Sequence, residues 1–243
     1  MRVGVVVFPG SNCDRDCLWA LDACAIEAVP LWHKDDSLQG CDAVIVPGGF
    51  SYGDYLRCGA IARFSPVMSA IARHAGAGGI VIGICNGFQI LTEAGLLPGT
   101  LLRNTGLRFI CRPVFVRVEQ TASALTAGCL TGQVLSLPIA HAEGRYWLAE
   151  PELRTLEEQG QVVFRYCAAD GRSDAADNPN GSANQIAGVR NRDGNVVGLM
   201  PHPERAIDLR LGGTDGRGLL NSLTLFGASS AAPVSTLRSA VPL

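Results

Sequence analysis

Apolar segments of five or six residues alternate with longer stretches of helical periodicity through the first hundred residues of the chain. Strands that alternate with helices are typical of βαβ units, in which helices cover both faces of a parallel sheet. The pattern therefore predicts an α/β fold with a mainly parallel central sheet. The predicted strands are Val3–Phe8, Ala28–Trp32, Ala43–Pro47 and Gly79–Ile84, and the predicted helices are Asp14–Ala25, Ala60–Ala75 and Phe88–Ala94.

Beyond Leu102 the pattern changes to short strands separated by turn-rich pieces. This change predicts an antiparallel portion joined to the same sheet. Asp170–Asn184 is rich in Asp, Asn, Gly and Ser and is expected to be a surface loop. Gly218–Phe226 is expected to be a closing helix. The strands predicted here are Pro113–Val118, Val134–Ala140, Val162–Tyr166, Ile186–Arg190 and Val196–Met200.

The length of 243 residues suits one well-packed domain, which we place at residues 1–227. The remaining tail, 228–243, holds small residues and two prolines without a persuasive pattern, and we expect it to be mobile.

The charge balance and the length of the apolar runs indicate which partners and which location to expect. A formal net charge of −2 gives no electrostatic reason to expect a nucleic acid or an anionic membrane. No apolar run approaches the roughly 20 residues that span a bilayer. The apolar part of the N-terminus is too short for a signal peptide and is expected to be the first strand. We therefore expect a cytoplasmic protein.

Nine cysteines are many, but their number is odd and they form no C-x-x-C pair. This spacing predicts neither a zinc site nor a disulfide framework. Eight of the nine are interpreted as small hydrophobic residues, and no metal site is predicted.

The ninth, Cys85, lies where a buried strand runs directly into a helix. Gly83 and Gly87 flank it as G-x-C-x-G, the cysteine version of the nucleophile elbow. The helix N-terminus favours the thiolate, and the N–H of Asn86 is placed to donate to an oxyanion. The alternative for this segment alone is a structural cysteine that happens to lie between glycines.

A base for this thiol is expected in Met200-Pro-His202-Pro-Glu204, which follows a predicted strand. His202 is one of four histidines, and prolines restrict the backbone on both sides of it. Glu204 could accept the other imidazole N–H and complete a Cys-His-Glu triad. The alternative is a surface histidine in a proline turn.

A third segment, P-G-G-F-S-Y-G-D, follows the strand that ends at Pro47. Its glycines allow a close backbone approach to a ligand, and the N–H of Gly49 could be a second oxyanion donor. A phosphate-binding loop is the competing interpretation, but the chain has no G-x-x-x-x-G-K-[ST] pattern.

The P-G-G turn, G-I-C-N-G-F-Q and P-H-P-E together resemble the class I (triad) glutamine amidotransferases. Five longer segments resemble, more narrowly, the glutaminase subunits of phosphoribosylformylglycinamidine synthases, and the likeness covers roughly residues 1–227. It implies a flavodoxin-like fold for the single domain. The segments are F-P-G-S-N-C-D-R-D, P-G-G-F-S-Y-G-D-Y-L-R-C-G-A-I-A, P-I-A-H-A-E-G-R-Y, N-P-N-G-S and M-P-H-P-E-R.

The resemblance also implies a role for each matching position. Ala142 departs from the pattern, because H-G-E-G is the commoner form of the H-A-E-G segment and the extra methyl stands where the backbone approaches substrate. The implied roles are nucleophile for Cys85, remaining triad members for His202 and Glu204, oxyanion donors for Gly49 and Asn86, and glutamine contacts for Phe50, Gln89, His141 and Glu143.

The substrate implied is L-glutamine, and no metal or organic cofactor is expected in this chain. The resemblance implies a large synthetase subunit, which would hold ATP and Mg²⁺, and a small bridging subunit as partners. Three alternatives remain: an elbow-cysteine hydrolase or stress-protein relative without glutamine specificity, a degenerate regulatory subunit, and an amidotransferase that serves a different synthetase.

Overall fold

The computed structural model describes residues 1–230 of the chain, with side chains through residue 228. Eleven strands and five α-helices lie in this part of the chain. The strands are β1 Arg2–Val7, β2 Glu27–Trp32, β3 Ala43–Val46, β4 Ile80–Ile84, β5 Thr100–Leu102, β6 Ile110–Val118, β7 Val134–His141, β8 Arg145–Trp147, β9 Val162–Cys167, β10 Ile186–Arg190 and β11 Val196–Leu199. The helices are α1 Asp14–Ala23, α2 Pro66–Gly76, α3 Asn86–Glu93, α4 Glu150–Glu158 and α5 Gly216–Ser230.

Nine of these strands form one sheet in the order β2-β1-β3-β4-β11-β10-β9-β6-β7. The strands from β2 to β11 are parallel, and every pair from β11 to β7 is antiparallel. The structure thus confirms a mainly parallel sheet that continues into an antiparallel portion. Strand β11, the last in the chain among the described residues, lies between β4 and β10 in the middle of the sheet.

The two halves of the sheet follow the burial pattern that their sequences predict. All residues of β3 and β4 are buried, because helices cover both faces of the parallel half. Strand β7 instead alternates between buried and half-buried positions, as a strand with one face on the core does. Leu135, Leu137 and Ile139 supply its buried face.

Several bounds differ from the predicted ones. The helix predicted over Ala60–Ala75 is a short 3₁₀ turn at Ala62–Phe64 followed by α2, because Pro66 lacks an N–H and suits only the first turn of a helix. Strands β5 and β8 and helix α4 were not predicted. Helix α5 continues three residues past the domain boundary placed at 227, and residues 231–243 of the predicted mobile tail lie outside the described part.

The parallel half brings the predicted functional segments to one edge of the sheet. Strands β1, β3, β4 and β11 run in the same direction, so the loops that follow them meet at their carboxyl ends, where α/β proteins place their sites. No helix within the described residues is long and apolar enough to cross a lipid bilayer.

Candidate active site

Cys85 adopts a strained backbone conformation at the junction of β4 and α3. Its φ of 50° and ψ of −105° lie outside the regions that suit a residue with a side chain. The flanking glycines are required for this turn. A Cβ on Gly83 would lie 2.6 Å from Leu91 Cδ1, and a Cβ on Gly87 would collide with the carbonyl oxygen of Val46. The turn therefore has the geometry of a nucleophile elbow.

His202 and Glu204 form a buried hydrogen-bonded pair immediately after β11. The distance from His202 Nδ1 to Glu204 Oε1 is 2.6 Å, and each residue is 1% exposed. The backbone N–H of His202 donates to Pro138 O at 2.9 Å, which ties the loop to β7. Burial alone would lower the pKa of His202, but the charges of Glu204 and Cys85 outweigh it and raise the pKa well above its usual value.

The glycine loop after β3 packs into the corner between the cysteine and the histidine. A Cβ on Gly48 would lie 2.8 Å from His202 Cε1 and 3.4 Å from Cys85 Cβ. His202 is within hydrogen-bonding reach of the thiols of Cys85 and Cys13, and the Cys85 thiol makes a further long contact of 3.8 Å with Ala140 O. The structure therefore brings together the three residues that the sequence suggested as a triad.

The two predicted oxyanion donors belong to two segments in contact with each other, the glycine loop after β3 and the first turn of α3. Asn86 is the first residue of α3, where backbone N–H groups lack an intrahelical acceptor. Gly49 has a φ of +117°, and a Cβ there would lie 2.5 Å from Asn12 N, so the chain needs glycine at this position. The Asn86 side chain links the two segments, because its Oδ1 accepts from Ser51 N at 3.2 Å.

A cavity of about 340 Å³ opens in front of Cys85 and His202. The four predicted glutamine contacts all line it, and two of them are joined by a hydrogen bond of 2.5 Å from Gln89 Nε2 to Glu143 O. A cavity of this volume can hold an amino acid. Its lining includes Phe50, Gln89, His141 and Glu143.

Asn104, which the sequence did not suggest, forms hydrogen bonds with the H-A-E-G segment. Its Oδ1 accepts from Gly144 N at 3.0 Å and lies 3.2 Å from His141 Nδ1, and its amide donates to His141 O at 3.0 Å. Burial lowers the pKa of His141 to about 4, with help from the charge of His202. His141 is therefore neutral near pH 7. Asn104 carried no sequence signal beyond its place in a turn-forming R-N-T-G segment.

Three further residues at the cavity were also missed: Cys13, Asp54 and Arg205. Arg205 bridges two family segments, because its guanidinium donates to Cys13 Sγ at 3.1 Å and to Asp16 Oδ2 at 3.0 Å. Asp54 accepts from the Asn86 amide at 3.2 Å, and burial raises its pKa. The family segments quoted above could have pointed to two of these residues. Cys13 lies in F-P-G-S-N-C-D-R-D and Asp54 lies in P-G-G-F-S-Y-G-D, although neither residue was given a role.

Comparison with known proteins agrees with this geometry. The family model described as a CobB/CobQ-like glutamine amidotransferase domain matches residues 1–211. Phosphoribosylformylglycinamidine synthase subunit PurQ of Gloeobacter violaceus is 59% identical over 224 residues, which cover 92% of this chain and 97% of that protein. The PurQ subunit of Rubrobacter xylanophilus is also 59% identical, over 223 residues that cover the same shares of the two chains.

The chain belongs to the PurQ family of glutamine amidotransferases. A solved structure of PurLQS from Thermotoga maritima contains a similar chain, with a TM-score of 0.83 and 44% identity over 93% of this chain and 98% of that one. Membership of the PurQ family argues against the elbow-cysteine hydrolase and stress-protein alternatives.

Proposed function

We propose that this chain hydrolyses L-glutamine to glutamate and ammonia as the glutaminase subunit of a phosphoribosylformylglycinamidine synthase. The observation that carries the proposal is the buried cluster at the carboxyl edge of the sheet. There a strained elbow cysteine faces a histidine whose other nitrogen is 2.6 Å from a buried carboxylate. The relatives are named as PurQ subunits of phosphoribosylformylglycinamidine synthase, and we take the enzyme to which the subunit belongs from these names.

The first step is attack by the Cys85 thiolate on the side-chain amide carbon of glutamine. The developing oxyanion accepts hydrogen bonds from the N–H groups of Gly49 and Asn86. His202, held as the imidazolium by Glu204, gives its proton to the departing ammonia, and a γ-glutamyl thioester remains on Cys85.

Water completes the reaction. Neutral His202 removes a proton from the water that attacks the thioester, and glutamate leaves as the Cys85 thiolate and the imidazolium form again. The proposal needs no metal or organic cofactor in this chain. Gln89 and Glu143 hold the α-amino and α-carboxyl end of glutamine together with His141, and Phe50 closes one side of the cavity.

Ammonia is consumed by a large synthetase subunit, which binds ATP and Mg²⁺ and aminates formylglycinamide ribonucleotide, with a small bridging subunit in the same complex. Exposed apolar side chains beside the cavity support docking at this face. Tyr55 and Leu56 are 75% and 90% exposed, and they lie between two residues that line the cavity, Asp54 and Cys58. Phe109, half exposed, lines the cavity itself.

Labelling with an electrophilic glutamine analogue tests the catalytic proposal. Intact mass and peptide mapping are expected to find one adduct on Cys85, which excess glutamine prevents and Cys85→Ala abolishes. Cys111→Ala is the matched control, because Cys111 is an exposed thiol that lines the same cavity. Labelling spread over other cysteines, or no labelling with or without the synthetase, would contradict the proposal.

Docking is tested with Leu56→Asp. The charge is expected to weaken binding of the synthetase subunit, measured by calorimetry, while labelling of Cys85 persists. Leu130→Asp is the control, since Leu130 is 75% exposed in the turn before β7, at the end of that strand away from His141. Equal binding by both variants would contradict docking at this face.

A further inference from the structure

The family segment N-P-N-G-S, residues 178–182, has no part in the proposed reaction. It lies within Asp170–Asn184, which the sequence predicted to be a surface loop, but Asn180 and Ser182 are 0% and 3% exposed. A buried polar side chain needs hydrogen-bond partners. The partners of these two residues therefore show what the segment holds in place.

The segment forms a tight turn that packs against a second turn, R-N-T-G at residues 103–106. The Asn178 Oδ1 closes it by accepting from three backbone N–H groups, at 3.4 Å from Asn180, 3.0 Å from Gly181 and 3.2 Å from Ser182. Gly181 has a φ of +83°, and a Cβ there would collide with the side chain of Thr105. The N–H of Thr105 donates to Asn180 O at 3.1 Å, which joins the two turns.

The amide of Asn180 has one possible orientation, because a donor lies on one side of it and an acceptor on the other. Its Oδ1 accepts from the backbone N–H of Ser182 at 3.0 Å and from the Ser182 hydroxyl at 2.8 Å. Its Nδ2 donates to Gly144 O at 2.8 Å and lies 3.4 Å from Tyr166 Oη. Exchanging the two amide atoms would set an N–H against an N–H and an oxygen against a carbonyl oxygen. The donor of Asn180 therefore faces the last residue of the H-A-E-G segment.

Gly144 is the position of that segment at which the backbone has the most freedom, since glycine has no Cβ to restrict φ and ψ. The peptide unit before Gly144 is held by Gln89, whose Nε2 donates to Glu143 O, and by Asn104, whose Oδ1 accepts from Gly144 N at 3.0 Å. The peptide unit after it is held through its carbonyl oxygen by Asn180. Glu143, which lines the cavity, is therefore carried by a backbone that three buried amides fix.

We propose that Asn180 is a positioning residue for glutamine: its amide holds the Gly144 carbonyl and so keeps Glu143 in the orientation that binds the α end of the substrate. Asn180 does not itself line the cavity, so its loss weakens substrate binding and leaves the chemical step at the triad intact. This role rests on the proposed function, in which Glu143 contacts glutamine.

Asn180→Asp tests the role with a side chain of the same shape. The aspartate keeps an acceptor for Ser182 but presents an oxygen instead of a donor to Gly144 O. Turnover is followed as glutamate release, with the synthetase subunit present if the isolated chain is slow. KM for glutamine is expected to rise at least about tenfold and kcat to stay within about threefold of the parent. An unchanged KM would overturn the role.

Asn195→Asp is the matched control. Asn195 is 3% exposed, and its amide likewise donates to backbone carbonyls, Ala75 O at 2.9 Å and Gly79 O at 2.7 Å. It directly precedes β11, at the end of that strand opposite the triad. This variant is expected to lose a comparable part of its stability in urea and to keep the parental KM. Equal rises of KM in the two variants would mean a merely structural effect and would also overturn the role.

Ser182→Ala is a milder variant for the case in which Asn180→Asp does not fold. It removes the hydroxyl that donates to Asn180 Oδ1, and it is expected to raise KM in the same direction, by about threefold. An unchanged KM in this variant would count against the role in the same way.

Labelling of Cys85 separates this role from the proposed function. Iodoacetamide, which does not resemble an amino acid, is expected to alkylate Cys85 of folded Asn180→Asp at the parental rate. Half-maximal labelling by the electrophilic glutamine analogue is expected to need at least about tenfold more reagent than in the parent. Failure of the analogue to label the parent would contradict the proposed function. Labelling of Asn180→Asp at the parental concentration would contradict only the positioning role.

Discussion

Replacing Glu204 by glutamine removes one charge from the buried triad and keeps its shape. The pair is 1–2% exposed, so water screens it little. With charge centres about 4 Å apart and an effective dielectric constant of about 20, the carboxylate stabilises the imidazolium by about 4 kcal/mol. Since about 1.4 kcal/mol corresponds to a factor of ten in rate, kcat is expected to fall by about 10³-fold. KM changes little, because Glu204 does not line the cavity.

The assay couples glutamate release to glutamate dehydrogenase, with the synthetase subunit present if the isolated chain is slow. Glu152→Gln, a replacement on the exposed face of α4, is the control and is expected to keep the parental rate. A folded Glu204→Gln variant with a kcat within tenfold of the parent would refute the role of the carboxylate.

The same substitution has a pH signature in stability. The pKa of His202 is raised in the folded protein above its unfolded value of about 6.5. Protonated His202 therefore contributes to the unfolding free energy fully below about pH 6.5, and this contribution is lost as the pH rises through the folded pKa. Glu204 is the largest cause that raises this pKa, and without it burial still lowers it, so the pKa is expected to fall. The difference in unfolding free energy between parent and Glu204→Gln is therefore expected to be larger at pH 6 than at pH 9, as urea titrations measure it.

Three further predictions follow from the surroundings of the triad. Gly87→Ala is expected to destabilise the fold by about 3 kcal/mol in urea unfolding, because the new methyl meets the Val46 carbonyl, whereas Gly106→Ala, with nothing within 4 Å, is expected to be neutral. Asn104→Ala is expected to raise KM for glutamine more than it lowers kcat, since it frees the H-A-E-G segment, and an unchanged KM would contradict this. His141 has a pKa of about 4 in the folded protein against about 6.5 in the unfolded chain. Its contribution to the unfolding free energy is therefore present above about pH 6.5 and is lost as the pH falls towards 4, a loss of about 3 kcal/mol. His141→Gln is expected to abolish this loss, as urea titrations at pH 6.5 and at pH 4 measure it.

The sequence predicted those parts of the fold and site that have a local signature. Strands β3 and β4 are continuous apolar runs. Cys85 lies between two glycines, and a tight turn is the structure that requires glycine at both positions. His202 stood out because prolines flank it after a strand. The family segments then assigned roles to neighbours whose individual residue types carry little information.

Elements with little periodic signal were missed. Strands β5 and β8 have three residues each, too few to show alternation, and α4 buries only Leu153 and Leu156 of its nine residues. The contacts of Cys13 and Asn104 were missed for a different reason. Arg205 and His141, the partners that hold them at the site, lie 192 and 37 positions away, and spacing along one chain does not encode such proximity.

The central position of β11 has a consequence for the order of events during synthesis. Residues 196–199 must insert between β4 and β10. Both of those strands are made earlier, and each has one unpaired edge until β11 pairs with it. A nascent chain that has not released β11 from the ribosome lacks His202, which follows it, and cannot generate ammonia. Ammonia production thus begins only after β11 and His202 have been made, and until then two unpaired strand edges invite aggregation unless folding is rapid or a chaperone covers them.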